Sequence, residues 1–76
     1  MDKMNEIFKV KSYGWQELAI LYAPGITPRA ATQRLTLWVK NIPDLIESLK
    51  EKGWVKGQRL LTPVQVKLIV DYLGEP

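Results

Sequence analysis

The segment "GITPRAATQRLTLWVKN", residues 25–41, joins a turn signal to a long amphipathic run. Thr27-Pro28 marks a helix start. The threonine hydroxyl can accept a free backbone N–H, and proline suits the first helical position, where its missing N–H costs nothing. From there to Asn41, Ala31, Leu35, Trp38 and Ile42 recur at helical spacing. At about 100° per residue they form one stripe. Arg29, Gln33, Thr36 and Lys40 form a second stripe almost opposite. The stretch carries three basic residues and no acidic one. A helix over 28–41 is therefore expected, with a buried face and a cationic polar face.

Upstream, Trp15, Leu18, Ala19 and Tyr22 repeat the helical spacing and predict a helix over 14–23, stopped by Pro24 and Gly25. Before it, "EIFKVK" alternates as a short half-buried strand over 6–11, with Ile7, Phe8 and Val10 as its apolar residues. Downstream, Pro43 opens a helix over 43–52 with Leu45, Ile46 and Leu49 inward and Gly53 as its left-handed stop. "GWVKGQRLLT" holds one turn signal, Lys56-Gly57, between β-compatible pieces, so a small β wing is expected over 54–61. Thr62 and Gln65 form a capping box for a last helix over 63–73, ended by Gly74 and Pro76. With no internal repeat or linker, the expectation is one mostly α, winged helix-turn-helix-like domain over 1–76.

The chain has 76 residues, 46% of them hydrophobic, with three Trp and three Tyr. That is enough apolar side chain for one core and too much for a disordered segment. There is no cysteine and no histidine, which removes disulfides, thiolate metal sites and the commonest general base. Ser12 and Ser48 sit in no nucleophile motif, and the five glycines build no phosphate loop. Asp44, Glu47 and Glu51 share a helical face and read as a solvated face rather than a cation site. The expectation is a non-enzyme with no catalytic residue, cofactor or metal. No apolar run approaches the roughly 20 residues that span a bilayer. "MDKMNEIFKVKSYGW" lacks the apolar stretch of a signal peptide. A cytoplasmic location is expected.

The formal net charge of +3 is unevenly spread. Arg29, Arg34 and Lys40 stand without an acid on the 28–41 helix, and Lys56 and Arg59 without one on the wing. Segments 12–27, 42–52 and 62–76 each carry −1. A winged helix-turn-helix applies these same two elements to DNA. Arg and Gln pair bidentately with guanine and adenine edges, while Thr and Lys suit phosphates or bases. The stripe Arg29, Gln33, Thr36, Lys40 is either such a reading face or the ordinary solvated side of an amphipathic helix. On the last helix, Val66, Ile69, Val70 and Leu73 suit the core. Val64, Leu68 and Tyr72 form a second apolar stripe, which is either packed within the domain or an interface for a second copy or a protein partner.

"ELAILY…ITPRAATQRLTLWV" resembles the helix-turn-helix of excisionase-like and mercury-regulator-like winged domains, and "GWVKGQRLLTPVQVKLIVDYLG" resembles their wing and following helix. The resemblance implies double-stranded DNA as partner. It gives base or phosphate contact to Arg29 and Gln33, and phosphate contact to Lys56 and Arg59. The chain departs from those families in the extra helix "IPDLIESLKEK" before the wing. From "FKVKSYG" to "YLGEP" it also resembles a small uncharacterised family of gut-bacterial proteins, a domain of unknown function. That resemblance implies a short stand-alone bacterial protein and supplies no activity. The functional expectation is a small DNA-binding protein with a regulatory or mobile-element accessory role. The competing expectation is a protein-interaction adaptor on the same scaffold.

Overall fold

The computed structural model describes residues 8–76, and its order is β1 (Tyr13–Gly14), α1 (Trp15–Tyr22), α2 (Pro28–Lys40), α3 (Pro43–Glu51), β2 (Leu60–Leu61) and α4 (Pro63–Leu73). The four expected helices are present, each within a residue of its expected bounds. Local capping chemistry accounts for that agreement. Thr27 Oγ1 accepts the Ala30 N–H at 3.1 Å at the head of α2. Thr62 Oγ1 accepts the Gln65 N–H at 3.3 Å, and the Gln65 side chain returns to the Thr62 N–H at 3.0 Å. Glu17 does half of the same at α1, where its carboxylate accepts the Gly14 N–H at 3.0 Å.

The end of α3 is a Schellman turn. Gly53 adopts a φ of +86°, and its N–H donates to the Lys50 carbonyl at 3.0 Å. The Trp54 N–H reaches the Leu49 carbonyl, also at 3.0 Å. A side chain at Gly53 would be strained at that φ, and the turn aims the chain so that Trp54 folds back onto the domain. Asn41 and Ile42 alone separate α2 from α3, and the Ile42 carbonyl accepts the Leu45 and Ile46 N–H groups.

The β structure differs from expectation in place and partner. β1 and β2 pair antiparallel, Tyr13 opposite Leu61 and Gly14 opposite Leu60. The Trp15 N–H extends the ladder to the Arg59 carbonyl at 2.7 Å. The expected 6–11 strand is therefore corrected. Residues 8–11 form no ladder, and residues 6 and 7 lie outside the described residues. Phe8 instead stacks on Tyr13 at 5.4 Å, and the Tyr13 hydroxyl donates to the Lys9 carbonyl at 3.0 Å, so this segment wraps the tyrosine. The expected 54–61 wing is corrected too. Only Leu60–Leu61 is strand, while 54–59 is a loop whose polar groups are taken up by a glutamine.

The core is Tyr13, Leu18, Ala19, Ala23, Ala31, Leu35, Val39, Leu45, Leu49, Leu61, Val66 and Ile69. On α2 the buried line runs Ala31, Leu35, Val39, while Trp38 and Ile42 are half-buried. The expected stripe is thus rotated toward Val39. Trp38 lies at the edge of the core, edge-on to Tyr22 with ring centroids 6.3 Å apart. Among the described residues no helix is long and apolar enough to cross a membrane.

Candidate nucleic-acid interface

Thr36 and Lys40 on α2 face a loop carrying Lys56 and Arg59 across one open groove of about 1430 Å³. The near wall is α2 with the first turn of α1, one side is α3, and the far wall is residues 54–59. Its apolar surface comes from Trp15, Pro43, Ile46, Trp54 and Val55, the two indoles lying 6.3 Å apart and tilted by 35°. Lys40, Lys50, Lys56 and Arg59 line it, along with Glu17 and Glu47. None of the four cations forms an ion pair among the described residues. The ion pair found there, Lys67 with Asp71 at 3.1 Å, lies on the exposed side of α4.

The loop is held rigidly in place. Gln58 donates its N–H to the Val55 carbonyl at 3.1 Å, with Gly57 at the third position of that turn and a φ of +86°. The Gln58 side chain accepts the Val55 N–H at 3.1 Å and donates to the Leu60 carbonyl at 2.8 Å and to Gln65 Oε1 at 2.7 Å. Gln65, only 1% exposed, donates in turn to the Lys52 carbonyl at 3.1 Å. This glutamine pair ties both ends of the loop to α4. Lys56 is thereby fixed at the tip of the turn, and Arg59 is fixed beside α1 by its ladder carbonyl. A buried amide whose oxygen and nitrogen are both hydrogen-bonded favours one arrangement.

Arg29 and Gln33 are exposed on α2 but do not line the groove. They share the outward stripe with Lys40, farther toward the start of the helix. The Thr36 hydroxyl has two partners within the chain. It accepts the Trp15 indole N–H at 3.1 Å and donates to the Thr32 carbonyl at 2.8 Å. On α4, Val64 and Tyr72 are exposed, whereas Leu68 is half-buried and packs against the core. Leu60, exposed on β2, lies next to the Thr62 cap.

Several contributors to this site escape a reading of the sequence. Trp54, Ile46 and Lys50 look like wing or ordinary amphipathic-helix residues until the Schellman turn brings them together. Gln58 and Gln65 carry a weak signal, a glutamine on each side of a capping threonine.

Neither a search of curated proteins nor one of solved structures returns a match. The chain belongs to the family described as "Domain of unknown function (DUF4248)", whose sequence model matches residues 9–76.

Proposed function

We propose that this protein binds double-stranded DNA, with the outward face of α2 in the major groove and the 54–59 loop on a flanking phosphate backbone. The observation that supports the reading most is the shared groove. Lys40 from α2 and Lys56 and Arg59 from the loop come together across it, although they are far apart in sequence. Arg29 and Gln33 extend that cationic face along α2 and are the side chains suited to guanine and adenine edges. On this reading α1 and α2, joined by residues 23–27, serve as the helix-turn-helix that the excisionase-like resemblance implies. The stapled loop would serve in place of a wing without being a hairpin. On this reading the protein is a bacterial regulatory or mobile-element accessory factor, acting in the cytoplasm.

Duplex binding as a function of salt tests it. Arg29, Lys40, Lys56 and Arg59 together neutralise about four phosphates, so log K should fall against log salt with a slope of about −3 to −4. Arg29→Ala with Lys40→Ala should weaken binding and flatten the slope by about 2. Unchanged affinity in that double variant removes α2 from the interface. With so few phosphate contacts a single copy binds weakly at physiological salt. A second copy would strengthen binding, and the exposed Val64 and Tyr72 on α4 are the surface offered for it.

A further inference from the structure

The cations of the groove suit phosphates, but its floor does not. Trp15, Pro43, Ile46, Trp54 and Val55 present an apolar surface between α2, α3 and the loop. A duplex resting on the rim would leave that surface uncovered, since phosphates and base edges have no use for a trough of indole and aliphatic carbon. We infer that this groove is a docking site for an acidic amphipathic helix of a partner protein, which seats its apolar face on Trp15, Ile46 and Trp54 and its carboxylates on Lys40, Lys50, Lys56 and Arg59.

Two observations favour this occupant. The first is charge. Four cations surround the floor against two carboxylates, and the carboxylate of Glu17 is already engaged with the Gly14 N–H. A partner rich in Glu or Asp outside its apolar stripe complements that rim, and a basic partner is repelled by it. The second is size. The groove volume of about 1430 Å³ is comparable with that of two to three turns of a helix roughly 11 Å across. Helix-in-groove recognition reads anchors spaced i, i+3, i+4 and i+7 over that length. An added strand would need a sheet edge, and the β1–β2 ladder has only two residue pairs.

Because Lys40, Lys56 and Arg59 are also the residues assigned to DNA, a docked acidic helix would exclude a duplex; this second half of the inference rests on the DNA reading. The partner would then act as a switch, removing the protein from DNA by covering three of its phosphate contacts.

The three tryptophans supply the test. Trp15 and Trp54 line the groove and Trp38 does not, so the indole N–H signals of the ¹⁵N-labelled full chain report on it site by site. The probes are two synthetic peptides of about four helical turns. Both carry leucine at the apolar positions; one has glutamate elsewhere and the other lysine. The glutamate peptide should shift the Trp15 and Trp54 signals to saturation and leave Trp38 in place. The lysine peptide should bind at least about tenfold more weakly, as should the glutamate peptide to a Lys50→Glu, Lys56→Glu variant whose melting temperature is unchanged. Silent Trp15 and Trp54 signals, or equal binding of both peptides, would overturn the docking site. A duplex competition then tests the switch, where simultaneous binding of peptide and DNA overturns it. Absence of any duplex binding refutes the DNA reading and the switch with it, while the indole titration decides the docking site independently.

Discussion

Tyr22 joins α1 to the last residues of the described chain. Its ring meets Trp38 edge-on and its hydroxyl donates to the Gly74 carbonyl. Burial, and after it the Glu75 carboxylate, pushes its pKa up from the usual 10 to about 12. The fold therefore prefers the neutral phenol. Its contribution to stability is complete below the unfolded pKa of about 10 and is lost as pH rises through about 12. A Tyr22→Phe variant should lose about 1 kcal/mol at neutral pH for the missing hydrogen bond. Its urea midpoint should also fall less steeply than that of the parent between about pH 10 and 12. Identical alkaline limbs would show that the phenol is not coupled to folding. In the sequence Tyr22 was legible as a helical core position. Its hydroxyl partner was not, because that partner is a backbone carbonyl at the far end of the chain. Val39 escaped for a related reason: periodicity assigns a face to within about one residue, and Trp38, the larger neighbour, drew the stripe toward itself.

The elements divide into those made by local chemistry and those made by distant partners. All four helices announce themselves through residues within a turn of their ends: Pro24-Gly25 after α1, Thr27-Pro28 before α2, Pro43 and Gly53 about α3, and Thr62 with Gln65 at α4. The 54–59 loop does not, since its conformation is set by a hydrogen bond between Gln58 and the buried Gln65 of α4. Periodicity and turn signals read such a segment as a hairpin, although its own strand β2 pairs back to β1. Gln65 is thus the residue on which the loop depends. Gln65→Leu keeps the volume but leaves the Thr62 N–H, the Gln58 amide and the Lys52 carbonyl without their partner. The expected cost is about 2–4 kcal/mol in urea unfolding, with faster amide exchange at Val55 and Gln58. A loss below about 0.5 kcal/mol would mean that water replaces the amide fully.

For the molecule as a whole, the class of fold was readable: one mostly helical domain with a buried stripe on each helix. The groove was not, because its wall is assembled from α1, α2, α3 and the loop, and no single stretch carries its signature. What sequence did convey was the accumulation of positive charge on α2 and on residues 53–61. The two-residue ladder that brings these regions together also sets an order of events. α1 and α2 are neighbours in sequence and can pack early, whereas Tyr13 meets Leu61 only after most of the chain has been looped out. Closing such a loop costs on the order of 3 kcal/mol of chain entropy, which contacts near in sequence avoid. The ladder therefore belongs on the native side of the folding barrier. Truncating Leu61, wholly buried against the core, should quicken unfolding while hardly slowing refolding. The groove would then be among the last features to form, and a brief opening of the β1–β2 ladder would dismantle it while the α1–α2 pair stays folded.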